Sequence, residues 1–208
     1  LAPTVPLVPG SMLGNTRYRI DGWLGEGGMG VVYIAEHVDL KRKVALKLLR
    51  SEACRRPHHI DMLRAEAQTI ASIRSEYIVE IYDFAELADG RALFTMELLQ
   101  GVTLHHALTT TPLDVARTIG VLRQICKGLA VAHAAGVVHR DIKPENVFLS
   151  KRGERTDAVR LLDFGVSAML GDTRLGRARV AGTPCYFAPE LALGVAHDVR
   201  ADIYALGC

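Results

Sequence analysis

An α+β fold, strand-rich in its first half and helix-rich in its second, is predicted by three features of this 208-residue chain. Between Tyr18 and Leu98 five short apolar runs recur at strand length. One segment among them, Ile60 to Ile73, changes to helical spacing, with Met62, Leu63, Ala67, Ile70 and Ile73 on or near one face. Beyond Gly101 helical periodicity takes over, and an α-rich second half follows.

Taken in order, Leu1 to Gly10 carries Pro3, Pro6 and Pro9, the composition of an extended, unpacked leader, with a PxxP docking ligand as the lesser reading. Tyr18-Arg19-Ile20-Asp21-Gly22-Trp23-Leu24 alternates as a strand does, and Gly25 to Gly30 forms a glycine turn. Val31 to Ala35 and Val44 to Leu49 read as two further strands joined by the polar hairpin Glu36 to Lys43. Ile78 to Phe84 and Ala92 to Leu98 complete the set around a turn at Asp89-Gly90. Asp114 to Ala135 is the longest helical stretch, and Gly136 is its C-terminal stop.

Composition narrows the function classes. Apolar residues make up 49% and charged residues 23%, enough to build a core. A net charge of +2 without a dense basic run gives no argument for nucleic acid. The four cysteines, at 54, 126, 185 and 208, lack CxxC spacing and fit a reducing compartment better than a zinc site or a disulfide framework. No apolar run reaches membrane-span length, so cytoplasmic is the expected location, with anchoring through other segments of a parent protein left open. His58-His59 and His105-His106 are adjacent pairs, which diverge on a helix and do not make metal sites.

The chemistry is concentrated in His139-Arg140-Asp141-Ile142-Lys143-Pro144-Glu145-Asn146. One short loop holds a carboxylate to accept a hydroxyl proton, an ammonium for a moving phosphate and a carboxamide oxygen for Mg2+. Asp163-Phe164-Gly165 follows with a second metal-ligand carboxylate. Gly25-Glu26-Gly27-Gly28-Met29-Gly30-Val31-Val32 fits GxGxxGxV, whose glycines let backbone approach phosphates. A Rossmann turn shares the pattern but opens a helix, whereas Val31-Val32-Tyr33-Ile34 continues as a strand. Lys47, between Leu46 and Leu48, points into a cleft on this reading, with Glu66 on the following helix as its partner.

These motifs, with Val44-Ala45-Leu46-Lys47 and Ala188-Pro189-Glu190, stand in the order found in eukaryotic-like Ser/Thr protein kinases, and the chain from about Tyr18 to Cys208 resembles the bacterial members of that family. The resemblance implies a bilobal fold. Residues 1–16 would be the leader, 17–99 an N-lobe with a five-stranded antiparallel sheet and one helix, and 100–208 a mainly helical C-lobe, truncated at its C-terminus. It implies that Asp141 takes the substrate proton, Lys143 touches the γ-phosphate, Lys47 contacts the α- and β-phosphates, and Asn146 and Asp163 hold Mg2+, or Mn2+ in its place. ATP would lie along Leu24, Gly25, Glu26, Gly27, Gly28, Met29, Gly30 and Val31. Met96 would be the gatekeeper, the Glu97 carbonyl and Leu99 amide would meet adenine, and Val32, Ala45 and Phe148 would sandwich its ring. Phe148 is bulkier than the aliphatic residue usual there. Ile70, Ile81, His139 and Phe164 match the apolar stack of the active state, and Asp202 would anchor its base through backbone amides of the catalytic loop.

The resemblance also implies a substrate class. Gly182-Thr183 precedes Ala188-Pro189-Glu190 at the Ser/Thr-kinase spacing, so Thr183 and Lys143 favour Ser/Thr hydroxyls of proteins over Tyr. Arg140 calls for an activation-segment phosphate, and of the two hydroxyls there, Ser167 and Thr173, Thr173 is the candidate. Arg177 and Arg179 could instead bind an acidic group or solvate a loop, and Cys185 could act as a redox switch. A homodimer for autophosphorylation is allowed. A nucleotide-binding pseudokinase scaffold and a small-molecule kinase are the alternatives. The family fold continues past Cys208 and supplies there the arginine that pairs with the Glu190 position, which leaves Glu190 expected as an unpaired buried carboxylate.

Overall fold

The computed structural model describes residues 7–27, 30–54, 57–152, 155–164 and 184–208. The chain divides into two compact units, Leu1–Ala67 with Ile81–Leu98, and Gln68–Glu80 with Leu99–Cys208.

In the first unit five strands form one antiparallel sheet: β1 (Tyr18–Gly27), β2 (Gly30–His37), β3 (Arg42–Leu49), β4 (Ile81–Glu86) and β5 (Ala92–Met96), in the order β1-β2-β3-β5-β4. Helix α1 (Pro57–Ser72) begins in this unit. The period of two decides what each strand buries. Val31, Tyr33 and Ala35 of β2 and Val44, Leu46 and Leu48 of β3 enter one apolar cluster with Ile20 and Leu93. The alternate residues of β3, Ala45, Lys47 and Leu49, are buried too, on the opposite face. Tyr18 is buried with its hydroxyl between Asp83 (3.1 Å) and Thr95 (3.2 Å). Burial pushes its phenol above the ordinary value.

The second half of the expected leader is packed rather than free. Leu13 is buried, Gly10 and Ser11 exchange backbone hydrogen bonds with Ile20 at 2.7 and 2.9 Å, and the Leu7 amide donates to the Tyr33 hydroxyl. Leu7 and Leu13 gain cover from the sheet core, which outweighs the freedom that proline-rich composition suggested. The expected strand Ile78–Phe84 is divided. Ile78 bridges Leu161 in the second unit, and β4 starts only at Ile81.

The second unit contains helices α2 (Leu104–Thr110) and α3 (Val115–Ala134), a short helix Pro189–Ala192 and a final helix Arg200–Gly207. Asp114 caps α3 by accepting the Arg117 amide at 2.7 Å. At its other end Gly136, at φ +76°, donates to the His133 carbonyl, and Val137 reaches back to the Ala132 carbonyl, a Schellman stop. Beside the helices lies an antiparallel sheet that helical periodicity did not announce: β6 (Gly101–Thr103), β7 (Val147–Arg152) and β8 (Arg155–Leu161), in that order. Side chains of α3 cover the outer side of β8. Gln124 donates to the Asp157 carbonyl and accepts the Val159 amide, while Arg117 grips the Asp157 carboxylate with two N–H groups at 2.7 and 2.8 Å.

Candidate active site

In the first unit the glycine segment is the tip of a hairpin. β1 ends at Gly27, β2 begins at Gly30, and these two residues pair. The glycines therefore link strand to strand. A Cβ on Gly30 would fall 2.2 Å from the Leu48 carbonyl oxygen, so packing alone requires glycine there. At Gly25 and Gly27 a Cβ would meet nothing within 4 Å among the described residues, so their packing does not account for glycine at either place. Glu26 pairs with Arg50, and Leu24 is exposed.

Register brings other expected residues together. Val32 lies opposite Lys47, Lys47 opposite Phe94, and Ala45 opposite Met96. Opposite residues in an antiparallel ladder share a face. Val32, Ala45, Lys47 and Met96 thus occupy the face of the sheet away from the cluster of Val44, Leu46 and Leu48. Lys47 is only 6% exposed. Glu66 is half-buried on the face of α1 that also carries Leu63, Ala67 and Ile70. Past β5 the chain runs through Glu97 and, in the second unit, Leu99 outside any strand.

In the second unit the β7–β8 hairpin delivers its residues at the open end. Asn146 immediately precedes β7, Asp163 stands two residues beyond β8, and Val147 pairs with Leu161. The Leu162 amide donates to the Asn146 carbonyl at 2.9 Å, which fixes the two segments side by side. Phe148 follows on β7, half-buried and paired with Arg160.

The Asp141 carboxylate is 7% exposed and accepts the Lys143 ammonium on both oxygens, at 3.0 and 2.9 Å. Asn146 Nδ2 donates to the Asp141 backbone carbonyl (2.8 Å) and carboxylate (2.9 Å). Both amide hydrogens are thereby committed, which leaves Oδ1 as the side chain's remaining polar atom.

Beneath this loop lies Asp202, fully buried on the final helix. It accepts the His139 amide at 2.8 Å, the Arg140 amide at 2.7 Å and His133 Nε2 at 2.7 Å. Arg140 has φ +65° and Asp163 φ +55°, left-handed values that cost a non-glycine residue on the order of 1–3 kcal/mol. Asp202 holds the first of these in place. His133, in the last turn of α3, is a site residue that sequence reasoning missed, because nothing local marks a helix-end histidine as the partner of a distant carboxylate. His139 is fully buried, donates Nε2–H to the Leu162 carbonyl at 2.8 Å and accepts the Asp141 amide on Nδ1 at 3.3 Å. Those roles require the neutral ring. Burial lowers its pKa, against an upward pull from Asp202 and Asp141. Its ring packs on Phe164 with centroids 4.4 Å apart.

Comparison with known proteins decides the family. The protein kinase domain model matches residues 18–208. The chain belongs to the protein kinase domain family. It is 42% identical over 193 residues to the serine/threonine-protein kinase Pkn1 of Myxococcus xanthus, covering 91% of this chain and 27% of that protein. It is 38% identical over 205 residues to Pkn2 of the same organism, with 97% and 24% covered. PknB of Mycolicibacterium smegmatis is 38% identical over 201 residues, with 93% and 32% covered. The chain thus spans about a quarter to a third of the length of these curated relatives. Among solved structures, the Mycobacterium tuberculosis PknI kinase domain matches with a TM-score of 0.78 at 28% identity, over 97% of this chain and 74% of that one. The fold is the protein kinase fold, of bacterial Ser/Thr type.

Other expected residues fall elsewhere. Gly28, Met29, Gly165, Ser167, Thr173, Arg177, Arg179, Gly182 and Thr183 lie outside the described residues, as do the first six of the leader. Arg140 Nε is buried and has no hydrogen-bond partner among the described residues. Glu190 is half-buried rather than buried. Asp198 foremost holds Arg200 above its ordinary pKa, and the Glu190 carboxylate adds to that pull. The expected orphan carboxylate is therefore partly solvated and sits in the field of a cation.

Proposed function

We propose that this chain is the catalytic part of a serine/threonine protein kinase, transferring the γ-phosphate of ATP to Ser and Thr hydroxyls of proteins. The observation that carries this reading is the Asp141 carboxylate, 7% exposed and oriented by hydrogen bonds from Lys143 and Asn146. Asp141 takes the proton of the substrate hydroxyl. Lys143, already within 3.0 Å of that carboxylate, is the cation able to swing toward a phosphate. Lys47, paired with Glu66 on this proposal, and the open glycine tip at Gly25 and Gly27 serve the nucleotide phosphates. Val32, Ala45 and Met96 offer apolar contact to adenine, with the Glu97 carbonyl as a hydrogen-bond partner.

The donor set suits Mg2+. Among the described residues no three His, Cys, Asp or Glu side chains group to hold an ion by themselves. A Mg2+ shared with phosphate oxygens and water needs only one or two protein oxygens. Asn146 Oδ1 and the Asp163 carboxylate would provide them, and the ion would neutralise charge on the phosphates. Arg140, whose buried Nε has no hydrogen-bond partner among the described residues, would answer a phosphate on the activation segment, for which Thr173 remains the candidate. Four cysteines without disulfides suit a reducing compartment such as the cytoplasm. Among the described residues no helix is long and apolar enough to cross a membrane.

The test is radiolabel transfer from ATP to casein with Mg2+, followed by phosphoamino-acid analysis. Label on Ser or Thr that disappears in Asp141→Asn supports the reading. Equal transfer by Asp141→Asn, or turnover of small molecules alone, overturns it.

A further inference from the structure

We propose that Thr111 is an autophosphorylation site, modified by a second copy of the protein; this rests on the kinase reading above. The distinguishing feature is an uncommitted hydroxyl. Thr109 and Thr110 donate to the His106 carbonyl at 3.0 and 2.8 Å, and Thr118 donates to the Asp114 carbonyl at 2.8 Å. The other described Ser and Thr side chains are likewise engaged or have partners of their own. Among the described Ser and Thr side chains, Thr111 alone makes no hydrogen bond within the protein. A bonded hydroxyl must break its contact and turn outward before it can attack phosphorus, whereas Thr111 has nothing to break.

Backbone and exposure agree with this. Thr111 is exposed and extended, at φ −151° and ψ 125°. It opens the non-helical linker 111–114, which joins α2 to the N-cap of α3. An extended, exposed segment followed by Pro112 is the form in which a chain can enter a catalytic cleft. The turn preceding it belongs to a seven-residue helix, whose end opens at little cost. Both ends of the linker are tethered, Thr111 N–H to the Ala107 carbonyl and Asp114 to the Arg117 amide. These tethers hold Thr111 in its own linker, and on this proposal a second copy is therefore the kinase.

The step is a phosphoryl transfer. Thr111 Oγ forms a bond to the γ-phosphorus of ATP as the bond from that phosphorus to the bridging oxygen breaks. The bridging oxygen leaves with its electron pair as ADP, and the hydroxyl proton passes to Asp141 of the other copy. The product carries about −1.5 to −2 charges just ahead of α3.

The experiment incubates the full-length protein with MgATP in the presence of casein and maps the tryptic peptide Ala92–Arg117 by mass spectrometry. Phosphate is expected on Thr111 and not on Asp141→Asn incubated alone. It should appear on Asp141→Asn once wild type is added. Thr111→Val should lose it while casein labelling stays within two-fold. Labelled casein with an unmodified peptide, or with phosphate on Thr109 or Thr110, overturns the proposal and leaves the kinase reading intact. Absence of casein labelling overturns both.

Discussion

At the β1–β2 hairpin the residues assigned to the nucleotide sit at the closed end, where Gly27 pairs with Gly30; at β7–β8 the residues assigned to the metal sit at the open end, beyond Val147 and Leu161. The closed tip is bare on its outer side. A Cβ added at Gly25 or Gly27 would meet no described residue within 4 Å. The open end is fastened from several directions, by Asn146 to Asp141, Leu162 to Asn146, His139 to Leu162 and Asp202 to the backbone of His139 and Arg140. Binding an extended ligand needs room for its backbone approach, whereas accepting a proton needs a carboxylate held within tenths of an ångström. On the proposed reading, one sheet would meet the first need by omitting side chains, and the other the second by stacking hydrogen bonds.

The comparison can be broken most sharply at Asp141. Asp141→Asn should lower kcat by about 10²–10⁴-fold, measured by label transfer to casein, with ATP affinity little changed. A loss under ten-fold would remove Asp141 as the proton acceptor. Asp202→Ala should come next. It orphans two backbone amides and the His133 ring around a fully buried position, and should cost about 3 kcal/mol in urea unfolding, with activity lost alongside. Unchanged stability would mean that the loop holds its positive φ without that clamp.

Glycine replacements separate the two sides of the closed tip. Gly30→Ala should destabilise by about 1–3 kcal/mol, because the new carbon meets the Leu48 carbonyl. Gly25→Ala and Gly27→Ala should leave the urea midpoint within error and raise KM for ATP. Equal midpoints for all three variants would refute the distinction.

The smallest effect is in pH. Burial depresses the His139 pKa, so the unfolded chain takes up a proton that the folded one refuses. The neutral ring's contribution is complete above pH about 6.5 and is lost as pH falls from there toward the folded value, at up to about 1.4 kcal/mol per pH unit. His139→Asn should flatten the stability slope between pH 6.5 and 5. An unchanged slope would assign the titration to another group.

Sequence legibility followed the range of the forces involved. Helix α3 could be read end to end, because Asp114 and Gly136 act on backbone groups within a turn. The glycine hairpin and the loop from His139 to Asn146 were legible because each packs its chemistry into contiguous residues. Strands β6 to β8 were hidden in a helical background, as their cross-strand partners lie up to about fifty residues apart. Leu7 and Leu13 were misread because proline content masked their burial against the sheet.

By itself, then, the order of residues determined the inventory: which carboxylates, lysines, amides and glycines exist, and which short segments fold as turns, strands and capped helices. Tertiary structure alone decided that Val32, Ala45, Lys47 and Met96 share one face, that Asn146 and Asp163 become neighbours, and that His133 and Asp202 brace a loop 62 residues before the carboxylate. Strand register and buried hydrogen bonds between remote segments set those facts. Each needs a partner that only the folded chain brings within 3 Å.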